Sequence, residues 1–216
     1  MEAAMTKILR WGLLSTARIN RRLIPAIRSA RGHSLSAVAS RDLERAEQYA
    51  RQWQIPRAYG SYEELLADPE IDAIYNSLPN HLHAVWSIRA APRGKHVLCE
   101  KPLALSAGEI DAMIAAAGEN QVVIAEAFMY RHHARTHRVQ ALIQSGALGE
   151  VQHINAVYTF HFDRPDNYRW QPEAGGGCLW DIGCYPVSYA RMIYGANPFE
   201  VVGKADMTPG GVDQSF

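Results

Sequence analysis

The 216-residue chain carries 22 Lys and Arg residues against 22 Asp and Glu residues, so its formal net charge at pH 7 is zero. This balance gives no electrostatic reason to expect a nucleic-acid partner, and a hydrophobic content of 48% is ordinary for a globular protein. No apolar run is long enough to cross a membrane, and segment 1–23 is too broken for a secretory signal. The three cysteines lack metal-ligand spacing, which favours reduced thiols in a cytoplasmic protein.

The first half of the chain alternates predicted strands and helices. Short apolar runs predict strands at 7–14, 35–40, 72–78, 96–99 and 122–127. Apolar residues at helical spacing predict helices at 18–30, 43–53, 82–91 and 107–117, and a further helix begins at Ser61 with Glu64 completing a capping box. Continuous apolar strands separated by helices indicate a parallel sheet that is covered on both faces.

The pattern changes after Glu126, where we place a boundary between domain 1–126 and domain 127–216. Helices are predicted over 134–144 and 178–194. Segment 149–162 alternates apolar and polar residues, which is typical of an antiparallel strand with one exposed face. A last strand is predicted over 199–205.

Polar stretches follow five of the predicted parallel strands. They read STARIN, SRD, LPNHLH, EKP and EAFMYR. Each is an ordinary polar loop when taken alone. Because ligands of open parallel sheets bind beyond the carboxyl ends of the strands, their joint placement predicts a binding site.

The first of these loops stands where a dinucleotide-binding fingerprint is expected. That fingerprint uses three glycines so that the backbone can approach a pyrophosphate at a helix N-terminus. Ser15, Ala17 and Asn20 occupy the three positions, so the spacing alone fails the test. Ser15 and Ala17 are nevertheless small, which leaves phosphate binding open as a hypothesis.

The loop after the second strand indicates the form of the dinucleotide. NAD sites place an acid there to bind the ribose hydroxyl, whereas NADP sites use arginine for the 2′-phosphate. Ser40 and Arg41 suit the phosphate. The alternative is that Ser40 caps a helix and Arg41 is merely solvated, although a cation in a first helical turn is mildly disfavoured.

The stretch GGGCLWDIGCYP places Asp181 and Tyr185 four residues apart, on one face of the predicted helix. A nearby ammonium group lowers the pKa of a tyrosine, ordinarily about 10. Lys101 could supply that charge if the two halves of the chain fold over one cleft, which would make Tyr185 an acid/base. The alternative is that Tyr185 is a half-buried packing residue. His133 and His137 share helical spacing without an acidic ligand between them, so no metal site is predicted.

Four stretches together resemble the glucose–fructose oxidoreductase / inositol dehydrogenase (Gfo/Idh/MocA) family. They are, in family order, LPNHLH, EKPLALS, EAFMYR and GGGCLWDIGCYP. The resemblance implies an α/β fold: an N-terminal Rossmann domain with a doubly wound parallel sheet, then a C-terminal α/β domain with a mostly antiparallel sheet. Family members normally continue well beyond residue 216, so we expect a C-terminally truncated chain with an incomplete second domain. Its absent strands would pair with 151–162 and 200–205.

The resemblance also implies roles for individual residues. Lys101 matches a lysine beside the nicotinamide and the substrate, and Tyr185 an acid/base. We expect Asp181, one helical turn before Tyr185, to hold the substrate or Lys101 in place. Many members carry histidine where Tyr185 stands, so the chain is similar to the branch of dihydrodiol dehydrogenase and NADP-dependent xylose dehydrogenase. The implied cofactor-binding residues are Gly12, Ser15, Thr16, Ala17, Arg18, Ile19, Ser40, Arg41, Leu78, Pro79, Asn80, His83, Glu100, Lys101 and Glu126.

We therefore expect a cytoplasmic NADP(H)-dependent oxidoreductase, with NAD as the alternative cofactor, that acts on a CH–OH group of a sugar, polyol or related diol. A homo-oligomer is expected for the full-length protein, with no nucleic-acid or membrane partner. Two other functions stay open. One is an NAD-dependent net-neutral enzyme of the glycosidase type, and the other is a catalytically silent NADP-binding or regulatory protein.

Overall fold

The computed structural model describes residues 8–216 and divides the chain into two compact units, the first ending at Glu126 and the second beginning at Ala127. The strands of the first unit are β1 (Leu9–Leu14), β2 (His33–Ala39), β3 (Arg57–Tyr59), β4 (Ala73–Asn76), β5 (His96–Cys99) and β6 (Ile124–Glu126). Its helices are α1 (Asn20–Ser29), α2 (Leu43–Trp53), α3 (Tyr62–Ala67), α4 (His83–Ala90) and α5 (Ala107–Glu119). The predicted start of the first strand at Lys7 lies outside the described residues.

The six strands form one parallel sheet in the order β3-β2-β1-β4-β5-β6. This is the doubly wound Rossmann order, with the reversal of strand order between β1 and β4. The central strands are the most deeply buried, and Leu13, Leu14 and Ile74 have no solvent-exposed surface. The predicted parallel sheet is therefore confirmed, and its apolar runs reflect burial on both faces.

One strand was not predicted, and one helix cap differs from its prediction. Strand β3 was missed because three residues are too few to show a period. At the start of α3, Ser61 Oγ accepts a hydrogen bond from Glu64 N at 3.2 Å, as predicted. The Glu64 carboxylate, however, accepts from Gly60 N at 3.1 Å, one residue before the expected partner.

The second unit contains two α-helices and a small sheet among its described residues. Helix α6 (Ala134–Gln144) matches its prediction. A π-helical turn, Leu179–Gly183, runs into α7 (Cys184–Tyr194), and β7 (Asp206–Met207) pairs antiparallel with β8 (Asp213–Ser215). Across residues 8–216, no helix is both long and apolar enough to cross a membrane.

The predicted strands over 149–162 and 199–205 are not strands in the structure. A strand is defined by ladder hydrogen bonds to a neighbour, and neither segment has a strand partner within the part of the chain that the structure describes. Both segments expose apolar side chains instead: Val157, Phe199, Val201 and Val202 are 75% to 103% exposed. An open groove of about 960 Å³ runs between parts of these segments and α7.

We expect the 216-residue chain to self-associate at high concentration, because unpaired apolar segments of this kind invite pairing with other copies. Sedimentation velocity over a concentration series should show growing oligomers. Val202→Lys should weaken this association, whereas Gln144→Lys, which adds the same charge at the end of α6, should not. A monomer that unfolds cooperatively and stays soluble at high concentration would contradict the expectation.

Candidate functional site

The carboxyl ends of five parallel strands lie in one row across the sheet. Leu14 of β1 is in register with Ala39 of β2 on one side and with Asn76 of β4 on the other. Cys99 of β5 pairs with Asn76, and Glu126 of β6 pairs with Cys99. Because the strand order reverses between β1 and β4, the loops that leave this row diverge around a crevice. The structure thus brings the five predicted polar loops to one edge of the sheet.

The turn after β1 is held by a network of side chains in place of the missing glycines. Ser15 has a φ of 105°, in the left-handed region that favours glycine. Asn20, which is fully buried, donates to Ser15 O at 2.8 Å and accepts from Ser77 Oγ at 2.7 Å. Ser15 Oγ lies 3.0 Å from Ser77 Oγ and accepts from Ala17 N at 3.1 Å. The turn therefore keeps a fingerprint-like backbone without the glycine sequence.

Gly12 does not lie in this turn but inside β1. A Cβ at this position would lie 2.8 Å from Cδ2 of Leu65, so glycine is what allows α3 to pack closely on the strand. The structure gives Gly12 a packing role, and its contact with a cofactor stays a prediction. Among the remaining residues of the turn, Thr16 is half-buried, whereas Arg18 and Ile19 are exposed just before α1.

The loop after β2 differs from its sequence interpretation in one respect, the residue that caps the next helix. Helix α2 is capped by Asp42, whose side chain accepts from Arg45 N at 3.1 Å, and not by Ser40. Ser40 is buried, and its backbone N–H donates to Tyr59 O at 3.1 Å. Arg41 is exposed and precedes the helix. The helix-dipole argument about a cation in the first turn therefore does not apply to Arg41.

Arg45 is a residue of this region that the sequence analysis missed. Its Nε donates to Thr16 Oγ1 at 2.9 Å, so the guanidinium reaches from α2 to the turn after β1. Burial raises the pKa of Tyr62, and the charges of Arg41 and Arg45 both oppose that rise, which places the two arginines near one side chain. The available signal was a second arginine four residues after Arg41.

The turn that follows β5 is anchored on both sides of Lys101. The Tyr75 hydroxyl donates to the Glu100 carboxylate. Two residues after Lys101, Leu103 N donates to Glu126 Oε1 at 2.9 Å. The peptide bond between Lys101 and the next residue is cis. The other oxygen of Glu100 accepts from Lys101 N at 3.3 Å. Glu100 and Glu126, both predicted to contact a cofactor, thus hold the turn with their carboxylates.

His83 lies between the loop that follows β4 and the loop that follows β5. Its ring is fully buried, with Nδ1 at 2.7 Å from Pro102 O and Nε2 at 2.7 Å from Leu78 O. Burial lowers the pKa of this imidazole. Leu78 and Asn80 are buried as well, whereas Pro79 is half-buried. Because a neutral imidazole carries one N–H, the His83 ring donates to one of these two carbonyls and lies against the other.

In the second unit, Tyr185 lies in the first turn of α7 within a cluster of aromatic rings. The ring centroids of Phe128, Tyr130 and Tyr158 lie 5.3 to 6.1 Å from its own. The Tyr185 hydroxyl is 3.7 Å from Met129 Sδ. Its ring is thus held by packing, while its hydroxyl is the group that can exchange a proton.

Asp181 is buried and forms an ion pair that the sequence analysis did not foresee. Its Oδ2 accepts from Arg169 Nε at 2.7 Å, and the guanidinium lies against the rings of Phe162 and Tyr168. Asp181 lies in the π-helical turn, whereas Tyr185 lies in α7. The predicted placement of both residues on one continuous α-helical face is therefore wrong. Arg169 holds the carboxylate in place.

A doubly wound parallel sheet with polar loops gathered at its switch point defines a Rossmann nucleotide-binding domain. The chain belongs to the GFO/IDH/MocA oxidoreductase family with an NAD-binding Rossmann fold, whose model matches residues 9–128. The model of the GFO/IDH/MocA C-terminal domain matches residues 136–216. The predicted family is confirmed.

Proteins and structures with known names show the same relationship. The chain is 44% identical over 205 residues to D-xylose 1-dehydrogenase (NADP(+)) 2 of Haloferax volcanii, covering 94% of this chain and 62% of that protein. It is 37% identical over 210 residues to trans-1,2-dihydrobenzene-1,2-diol dehydrogenase of Xenopus tropicalis, with coverage of 96% and 63%. A structure of KijD10, a 3-ketoreductase from Actinomadura kijaniata in complex with NADP and TDP-benzene, superposes with a TM-score of 0.82 at 33% identity, covering 87% of this chain and 58% of that chain. The chain therefore spans less than two thirds of the length of these relatives.

Proposed function

We propose that the chain belongs to an NADP(H)-dependent oxidoreductase that interconverts a carbinol and a carbonyl on a sugar, polyol or related diol. The observation that carries this proposal is the anchored turn at Lys101, which places a lysine at the carboxyl edge of a Rossmann sheet. The xylose and dihydrodiol dehydrogenases among its relatives support the substrate class.

The residues around the crevice fit a dinucleotide with a 2′-phosphate. Ser15 adopts the backbone conformation that a pyrophosphate-binding turn requires, next to the N-terminus of α1. No acid ends β2 to repel a phosphate, and Arg45 reaches the turn after β1 through its hydrogen bond to Thr16. Arg41 is exposed in the loop that follows β2. NADP, when bound, supplies the acceptor for the hydride of the carbinol.

The chain itself supplies the acid/base chemistry in this proposal. Tyr185 accepts the hydroxyl proton of the substrate, and Lys101 stabilises the negative charge on the substrate oxygen. Asp181, fixed by Arg169, orients the segment that leads to Tyr185. A positioned proton-transfer group of this kind contributes about 10²–10⁴-fold in rate.

A cofactor-reduction screen with aldoses, polyols and trans-diols tests the proposed function. Steady formation of NADPH with one of these classes supports it. Cleavage of a glycoside without net change in the cofactor would assign the net-neutral enzyme instead. Binding of NADP without turnover of any substrate would assign a silent binding protein.

Arg41→Ala should weaken NADP binding by about ten- to hundredfold. The expected loss is that of a charge-assisted hydrogen bond, about 1.5–3 kcal/mol, whereas NAD, which lacks the phosphate, should bind unchanged. Calorimetric titration with both cofactors measures the difference. Arg51→Ala, which removes an exposed arginine from helix α2, should affect neither cofactor. Equal losses for NADP and NAD in Arg41→Ala would reject the assignment.

A further inference from the structure

The π-helical turn that leads into α7 is not capped by its own sequence. The residue at its N-cap, Cys178, makes no side-chain capping hydrogen bond. The free backbone N–H of Leu179 donates instead to Asp213 Oδ2, at 2.6 Å, from a residue thirty-four positions further along the chain. The Cys178 thiol donates to the same oxygen at 3.0 Å. The carboxylate of Asp213, distant in sequence, therefore caps the start of the helix.

The glycines of the GGG stretch are shaped around this carboxylate and its support. A Cβ on Gly177 would overlap Oδ1 of Asp213, and the φ of Gly177 is 106°, which side chains rarely adopt. A Cβ on Gly176 would lie 2.5 Å from Arg169 O. Two consecutive glycines thus allow Asp213 and the backbone at Arg169 to approach the start of the helix from different directions.

A short hairpin holds Asp213 in place. Asp213 begins β8 and is in register with Met207 of β7. In the connecting turn, Thr208 N donates to Val212 O at 2.8 Å and Gly211 N donates to Thr208 O at 3.0 Å. Val212, immediately before Asp213, is buried. The carboxylate is therefore carried by a segment with its own hydrogen bonds and its own apolar anchor.

The charge on Asp213 also acts on the helix and on the thiol. A carboxylate at a helix N-terminus is favourable because the free N–H groups carry partial positive charge. Burial and the contact with Asp213 together raise the pKa of Cys178 to about 12. The thiolate is the reactive form of cysteine, so this contact keeps Cys178 in its unreactive form near neutral pH.

We propose that Asp213 is a positioning residue that fixes the start of the helical segment carrying Asp181 and Tyr185, and that it keeps Cys178 unreactive. The catalytic half of this proposal rests on the proposed function, because it assumes that Tyr185 exchanges a proton. The structural half, the contact of Asp213 with Leu179 and Cys178, does not depend on it.

Alkylation of the 216-residue chain with iodoacetamide, mapped by peptide mass spectrometry, tests the structural half. In Asp213→Asn, Cys178 should be alkylated at least about tenfold faster than in the parent, because a fall of one pKa unit raises the thiolate fraction by that factor. The amide of Leu179 should also exchange its hydrogen faster. Asp206→Asn, which neutralises an exposed carboxylate on the partner strand, should change neither. An unchanged Cys178 in Asp213→Asn would overturn the proposal.

The catalytic half is read from steady-state kinetics of the same variants. Asp213→Asn should lower kcat and leave the dissociation constant of NADP unchanged, whereas Asp206→Asn should leave both unchanged. Faster alkylation of Cys178 with an unchanged kcat would overturn the positioning role. If Tyr185→Phe proves fully active, the proposed function fails, yet the alkylation and exchange results still decide whether Asp213 holds the helix start.

A folding defect in Asp213→Asn would show itself as faster hydrogen exchange along the whole of α6 and α7, the two α-helices of the same unit. The parent protein then supplies the test. Its Cys178 alkylation rate should still be increasing above about pH 10, since an ordinary cysteine titrates near 8.5. A rate that levels off near pH 9 would overturn the proposal.

Discussion

Replacing Lys101 with alanine should reduce turnover by at least about 10²–10⁴-fold. In the proposed reaction, the substitution removes the ammonium group that stabilises negative charge on the substrate oxygen. The loss should appear in kcat at saturating substrate and saturating NADP. Lys204→Ala, at an exposed position of the second unit, is the matched control and should keep the parent rate.

The fold of the first unit should survive this substitution. The turn is held by contacts to Glu100, Pro102 and Leu103, none of which uses the Lys101 side chain. Thermal unfolding of Lys101→Ala should therefore stay close to that of the parent. A variant that folds, binds NADP and turns over within a factor of about two of the parent would remove Lys101 from the reaction.

Tyr185→Phe should lower turnover by about 10²–10⁴-fold while NADP binding stays intact. Phenylalanine keeps the ring that packs against Phe128, Tyr130 and Tyr158, so the variant removes only the hydroxyl. The oxidation rate of the parent should rise with pH as its base loses a proton, and the variant should lose that dependence. Tyr189→Phe, one helical turn later and in contact with Tyr130, should behave like the parent.

A Tyr185→Phe variant with the rate and pH profile of the parent would make Tyr185 a packing residue. The base would then have to be sought at another side chain. His83 is poorly suited, since its ring is buried between the carbonyls of Leu78 and Pro102. His161 would be the next residue to replace.

The sequence was most informative where function follows from local pattern. Apolar runs between helical segments predicted the parallel sheet, and the rule that ligands bind at the carboxyl ends of strands gathered the five loops correctly. The family motifs then singled out Lys101 and Tyr185. What the pattern could not show is how Lys101 is held, because Tyr75, His83 and Glu126 come from three other elements.

The turn after β1 shows the limit most clearly. By sequence the fingerprint fails, since serine and asparagine stand where glycine is expected. In the fold, Asn20 and Ser77 bond to Ser15 and to each other, although Ser77 is 62 residues from Ser15. A motif defined by glycine spacing cannot identify a turn that is stabilised by a side chain distant in sequence.

The second unit departs further from its prediction for the same reason. Alternation in 149–162 indicates which residues share a face, but it says nothing about a partner strand, and a strand without a partner forms no ladder. The helix prediction over 178–194 likewise could not include two contacts that shape its first turns. Arg169 donates to the Asp181 carboxylate, and the Asp213 carboxylate accepts from Leu179 N. Both are long-range interactions with no local signature.

The proposed function is the transfer of a hydride between a carbinol and NADP. It is tested most directly with a substrate from the cofactor-reduction screen that carries deuterium on its carbinol carbon. NADPH should accumulate with the deuterium on its nicotinamide ring, in amounts equal to the carbonyl product. Label that returns to the product without net NADPH, or NADPH that forms without the label, would contradict it.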